Sequence, residues 1–282
     1  QINFIDTPNA VQSEIALVNL SNLKMTDKEY FAVLLANQVL GGGGEGRLFL
    51  NLREKHGWTY GAYSSIGSGK YINKFRSGSS VRNAVTDSAV VEVFNELKRI
   101  RTELVSEEDL KNAKAKYVGN FVMQIEKPST IAIYALNKET QGLPEDFYEN
   151  YIKNINAVTA EDIKNAANKF FLTDQTRVII VGKAADVLPG LEVMSKREKL
   201  PIFYFDKYGN PTQKPEMKKP VPAGVTAQTV LNDYIKAIGG EKAVKNVKTL
   251  AILSSGTVQG TALEMVTKTA PKKLAFEMKA MG

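Results

Sequence analysis

GGGGEGRLFLNLREKHGWTYGAYSSI, residues 41–66, is the stretch on which the reading of this chain turns. Four glycines, Gly41 to Gly44, stop any helix that reaches them. Leu48, Phe49 and Leu52 then recur at helical spacing, with Arg53, Glu54 and Lys55 on the wet side. Thr59 to Ile66 reads as a strand. The helix-to-strand turn therefore brings Arg53 and Tyr60 close together in the chain. A guanidinium stays charged and offers fixed donors to a carbonyl or carboxylate. A phenol can donate to an oxygen that gains negative charge as water attacks it. On residue type alone, a solvated helix arginine and a packed strand aromatic are the ordinary roles for such a pair.

The same run, glycines followed by Arg47-Leu48-Phe49, Leu52-Arg53-Glu54 and Tyr60, resembles the metal-free second half of the pitrilysin/insulinase family of inverted-zincin metallopeptidases. VTAEDIKNAANKFFLTDQTRVIIVG, residues 158–182, is similar to that half's closing helix and strand. The resemblance spans roughly residues 10–205. It implies that Arg53 and Tyr60 bind the peptide substrate and stabilise the oxyanion, opposite a zinc site held by another half or subunit. By that resemblance this chain carries substrate-binding residues only, with no catalytic set and no metal of its own. The zinc-bearing half would precede it in one precursor or be a separate subunit, and the substrate would be a peptide or an unfolded protein. Alone, the chain should not hydrolyse peptides. The alternative is a catalytically inactive scaffold or interaction subunit of the same fold, since fold does not decide function. One departure is Gly46, where the family usually has a serine suited to an N-cap.

Composition narrows the chemistry. The chain has 282 residues, 43% of them hydrophobic and 24% charged, enough for one large domain or two. The net charge of +7 is spread out. The densest basic cluster, Lys214 to Lys219, sits in a proline-rich run without interleaved stacking aromatics, so no nucleic-acid partner is expected. There is no cysteine, which excludes disulfides, thiolate metal sites and a cysteine nucleophile. There is one histidine, His56, in a polar turn where it is expected to be exposed. An inverted-zincin site needs two histidines and a glutamate base, so it cannot be built here, nor can any multi-histidine zinc site. No run of about 18 apolar residues suggests a transmembrane segment. The chain starts at Gln1 and stops within a strand-like pattern, as expected of an excised piece. The missing cysteines, the basic balance and a carrier-like tail together suggest a bacterial periplasm or outer envelope.

Working outward, residues 12–20 read as a strand apolar on both faces and hence central. Thr26 and Glu29 have the form of a capping box for a helix to about Leu40, with Phe31, Leu34, Leu35, Gln38 and Val39 as its stripe. A turn over 67–74 leads to a returning strand, Phe75 to Arg82. Helices are expected over about Asn83 to Leu104, from Ser106, from Pro128 to Gln141, over 145–155, and, capped by Thr159 and Asp162, through Phe171. Arg177 to Gly182 is the last strong strand. This order predicts an α+β fold, a largely antiparallel sheet with helices packed on one face. Pro211, Pro215, Pro220 and Pro222 mark a semi-rigid linker. The expected domains are 1–205, a peptidase-family non-zinc half; 206–224, the linker; and 225–282, a helix followed by an antiparallel meander. That last piece is similar to the start of the curved sheets of periplasmic lipoprotein carriers, which adds the carriage of apolar ligands as a third functional class. About three open-edged strands are marginal alone. The piece is therefore expected to be part of a larger domain or to pair with another chain, as in a homodimer through open sheet edges.

Overall fold

A computed structural model describes residues 1–216, 222–258 and 261–281. The chain forms two compact units, Gln1–Lys218 and Lys219–Gly282.

The first unit is built on a six-stranded sheet. Its strands are β1 (Ile2–Asp6), β2 (Gln12–Ser21), β3 (Thr59–Ile66), β4 (Asn73–Arg82), β5 (Arg177–Gly182) and β6 (Ile202–Phe205). Their order across the sheet is β3-β4-β2-β5-β1-β6. The β3–β4, β2–β4 and β2–β5 pairs are antiparallel, and β1 runs parallel to both β5 and β6. Eight helices accompany it: α1 (Tyr30–Gly41), α2 (Arg47–Phe49), α3 (Thr86–Thr102), α4 (Glu107–Ile125), α5 (Pro128–Gln141), α6 (Tyr151–Ala157), α7 (Ala160–Phe170) and α8 (Ala184–Glu198). The α+β class is as the sequence implies, with two parallel pairs beside the antiparallel ones.

Strand alternation sorts the sheet into two faces. One face carries Ile2, Phe4, Ile15, Leu17, Phe75, Val81, Val178 and Ile180, all buried in the core. It packs with Val33, Leu35, Leu40, Val90, Val93, Leu97 and Ile163 from α1, α3 and α7. The other face has no buried residue along β2, β4 and β5. β2 is central, but its second face is only half covered: Ala16 and Val18 are partly buried and Glu14 and Leu20 are exposed.

Local signals explain the starts of α4, α5 and α7. Ser106 Oγ accepts the Asp109 N–H at the start of α4. Thr159 and Asp162 form a full capping box on α7. Pro128 opens α5 and Gly142, at φ +65°, closes it. The capping box expected at Thr26 is absent. Asp27 instead accepts the Lys24 N–H, and α1 begins only at Tyr30, with no side-chain cap. The buried residues of α1 are Tyr30, Ala32, Val33, Leu35, Ala36, Val39 and Leu40, so Phe31, Leu34 and Gln38 of the expected stripe lie at its margin. Two layers bury this helix from several sides, which blurs an amphipathic pattern. Residues 145–150, expected as helix, form turns before α6. Phe31, Phe147, Tyr148, Tyr151, Phe121 and Tyr134 stack into one aromatic cluster there. β1, α8 and β6 have no counterpart in the sequence reading. β1 and β6 are short, and each finds its place only by pairing with distant strands.

The first unit continues past Phe205. The Thr212 N–H donates to Tyr204 O at 2.9 Å, and Lys214 pairs with Glu192 of α8.

The second unit contains α9 (Ala227–Ala237), α10 (Gly240–Asn246) and a meander of β7 (Leu250–Val258), β8 (Thr261–Ala270) and β9 (Lys273–Met281). Thr226 and Thr229 cap α9 reciprocally. α10 is a second short helix that the sequence reading did not anticipate. Residues 259–260, between β7 and β8, lie outside the described residues. Register puts Leu250, Ile252, Met265, Leu274, Phe276 and Met278 on one sheet face. None of this unit's described residues is buried.

Candidate functional site

Glycines at close crossings position the stretch that carries Arg53 and Tyr60. A Cβ on Gly41, the last residue of α1, would lie 2.5 Å from the Ser64 backbone nitrogen in β3 and 2.9 Å from Leu48 Cδ1. A Cβ on Gly46 would lie 2.8 Å from Gly41 Cα. The end of α1, the start of α2 and strand β3 therefore meet backbone to backbone, an approach that only glycine allows. Gly46 is the residue before α2, without the side-chain cap a serine would bring. Its lost cap accompanies a contact that a side chain would obstruct.

From α2 the backbone continues through Leu50–Lys55 as a wider π-type turn. The His56 N–H donates to Asn51 O at 3.2 Å, the Gly57 N–H to Arg53 O at 2.8 Å and the Trp58 N–H to Leu52 O at 3.0 Å. Gly57, at φ +62°, reverses the chain into β3. The Asn51 amide ties this turn to α3, donating to Glu92 Oε2 and to buried Glu96 Oε1, each at 2.8 Å. π-type turns inside helices are frequent at functional sites.

Arg53 leaves this turn half exposed. Its guanidinium carbon sits 4.8 Å above the centre of the Phe49 ring, and Nε is 3.6 Å from Glu54 Oε1. That exposed ion pair holds the side chain weakly, whereas the stacked ring orients it. Phe49 in turn lies against Tyr63, ring centres 6.2 Å apart.

β3 opens with a bulge. Thr59 pairs with Val81 and Ala62 with Ser79, so three steps on β3 oppose two on β4. Ser79 Oγ donates to Gly61 O at 2.8 Å, and Thr59 Oγ1 accepts the Gly61 N–H at 3.0 Å. Thr59 and Ala62 thereby both take the covered side, and Tyr60 is pushed out, 85% exposed. Tyr60 and Tyr63 line one shallow cleft with Gln12, Gly61 and Ser80. The structure thus carries both candidate residues to the surface on one helix-to-strand unit. Arg53 reaches Tyr63 through Phe49, and Tyr63 shares its cleft with Tyr60. Tyr63, Gln12 and Ser80 were not anticipated. Their only signal is the pairing of β3 with β4 and of β4 with β2, which a single strand does not display.

His56, expected in the open, is partly buried, its ring stacked on Trp58 at 4.0 Å between centres. A loop that folds onto an indole shields the imidazole. Among the described residues no group of three or more histidine, cysteine, aspartate or glutamate side chains is arranged to hold a metal ion. With a single histidine the residues present do not fit the zinc of an inverted zincin. No helix among the described residues is long and apolar enough to cross a membrane.

Residues 2–117 match the family model described as the peptidase M16 inactive domain. A probable inactive metalloprotease of Bacillus subtilis, YmfF, is 28% identical over 168 residues, which cover 60% of this chain and 39% of that protein. An uncharacterized zinc protease of Rickettsia felis is 31% identical over 150 residues, covering 50% of this chain and 34% of that protein. This chain therefore spans little more than a third of the length of these curated relatives. The crystal structure of a peptidase M16 inactive domain from Pseudomonas fluorescens superposes with a TM-score of 0.59 at 26% identity, over 64% of this chain and 43% of that one. The periplasmic protease PqqL of Escherichia coli shares the fold, with a TM-score of 0.54 at 12% identity over 64% of this chain and 20% of that one.

Proposed function

We propose that this chain, whose residues 2–117 match the peptidase M16 inactive domain, is the metal-free half of a zinc metalloendopeptidase and holds the peptide substrate with Arg53 and Tyr60. The observation that carries this reading is the exposure of Tyr60. The bulge turns this ring outward, beside a shallow cleft lined by Tyr63, Gln12 and Ser80. In this reading Arg53 donates to a substrate carbonyl and the Tyr60 hydroxyl donates to the oxygen that becomes negative as the peptide bond is attacked. The zinc belongs to another half of the same precursor or to a separate subunit. The Rickettsia relative's description as a zinc protease supports that assignment. The compartment proposed is the periplasm or outer envelope of a bacterium, supported by the absence of cysteine and by the periplasmic PqqL relative. The domain division proposed is a half-domain, a proline-rich connection and a small α-plus-β piece whose free edges pair with another chain or a second copy.

The test is reconstitution with the zinc half. Addition of this chain should restore cleavage of an unfolded peptide. Tyr60→Phe should lower kcat by about a hundredfold to a thousandfold, the scale for a lost oxyanion donor, at unchanged melting temperature. Arg53→Ala should raise KM. No restoration, or full activity in both variants, favours the second reading, an inactive scaffold subunit. That second reading has its own support in the naming of the Bacillus relative as probably inactive.

A further inference from the structure

The sheet face that the core leaves uncovered has an uneven charge. Register places its outward residues in rows. Ser65, Arg76, Val18 and Arg177 form one row; Tyr63, Gly78, Ala16, Ile179, Asn3 and Phe203 form the next. Ser80, Glu14, Val181 and Ile5 follow on the side of Tyr60. Small or aliphatic side chains make the floor, and Tyr63 and Phe203 stand at its two sides. Lys74, Arg76, Arg82 and Arg177 all point to this face and are exposed. None of the four makes an ion pair with a carboxylate among the described residues. The single carboxylate on the face, Glu14, accepts from Ser80.

Two features make this more than a scatter of surface cations. The Arg76 guanidinium lies folded over Gly78, where a Cβ would come within 2.8 Å of Nη2. Tyr63 lies over Gly61 in the same way, its hydroxyl 2.6 Å from a Cβ built there. Glycines thus let a cation and a ring lie flat along the floor. Arg76 and Arg177 also flank Val18 from neighbouring strands. Their Cα atoms are about 10 Å apart, two strand spacings. Carboxylates at positions i and i+2 of an extended peptide are about 7 Å apart, within reach of two long side chains.

We propose that this open sheet face selects substrates by charge: it takes an extended peptide with alternate acidic side chains, whose carboxylates meet Arg76 and Arg177 while its backbone crosses the strands toward β3, the strand that carries Tyr60. This rests on the peptide-holding reading above and adds to it the substrate class. Opposite charge on the two partners favours encounter and register, and salt weakens both.

The test uses the full chain and two labelled short peptides that differ only in Glu or Gln at alternate positions, read by fluorescence anisotropy at low salt. The Glu peptide should bind about fivefold tighter, the scale of two exposed ion pairs, and the difference should fade at high salt. R76Q with R177Q should abolish the preference and leave the Gln peptide's affinity unchanged. R76E with R177E should transfer the preference to a matching Lys peptide. Both variants change exposed side chains only, and a melting curve controls for folding. Equal binding of the two peptides, or a preference that survives in R76Q/R177Q, overturns the charge selection. If both peptides still bind and Arg53→Ala weakens both, the peptide-holding reading survives that failure. Binding of neither peptide overturns both.

Discussion

A tyrosine turned out to solvent at the head of a strand illustrates what single residues decide here. The identity of Arg53 and Tyr60 and their spacing of seven were legible in the sequence. The outward turn of Tyr60 was not, because it depends on hydrogen bonds from Ser79, some twenty residues away, to the backbone of Gly61 and the hydroxyl of Thr59. Thr159 and Asp162 were legible in full, since a capping box is local. Hydrogen bonds from the Thr159 side chain and backbone hold the Asp162 carboxyl below its ordinary value of 3.8. A lowered carboxylate contributes its stability above the unfolded-state value and loses it as pH falls through the folded one. Thr159→Ala should therefore cost about 1 kcal/mol near neutral pH and less under acid conditions where Asp162 is protonated. Urea unfolding at the two pH values measures the difference.

At the level of elements, the glycine run was correctly a helix stop, but its main work lies in packing. Gly41 lets α1 end against the backbone of β3, and Gly46 lets α2 begin against Gly41. A sequence shows a run of glycines without showing what approaches them. Gly41→Ala keeps a helix-compatible residue, so its effect isolates the collision with the Ser64 backbone. It should destabilise by about 1–3 kcal/mol, read as a lower urea midpoint. Because β3 must recede, it should also weaken the contribution of Tyr60 in the reconstituted activity. The helices that were misjudged fail for related reasons. α1 is buried from more than one side and shows no clean stripe. Phe147 and Tyr148 suggest helix, yet they reach the cluster with Phe31 and Tyr134 from a series of turns. β1 and β6 are extended only because β5 and each other's edge are there to receive them.

Taken as a whole, the chain divides its stabilisation unevenly between its units. The first contains every buried residue described, and the second has an apolar sheet face and an amphipathic helix with nothing described as buried. Apolar area left in water contributes nothing to folding, and small units without a core are marginal. A chain ending after Glu216 should keep the melting transition of the longer one, since residues up to Lys214 are tied to the first unit. A peptide covering 222–282 should show no cooperative transition by itself. A sharp transition in that peptide would mean that its apolar faces find each other unaided. The hold of residues 206–216 on β6 was hidden by prolines that favour a linker reading.

The bulge at Tyr60 and Gly61 has one more effect. β3 is the border strand of the large sheet, and border strands are where separate molecules zip together into insoluble deposits. An extra residue there twists the rim and breaks the regular ladder a foreign strand would need. β7 and β9 pair in unbroken register over their described lengths and carry no such irregularity. In concentrated solution, turbidity should therefore arise from the small meander first, and the rim beside the candidate site should stay clean.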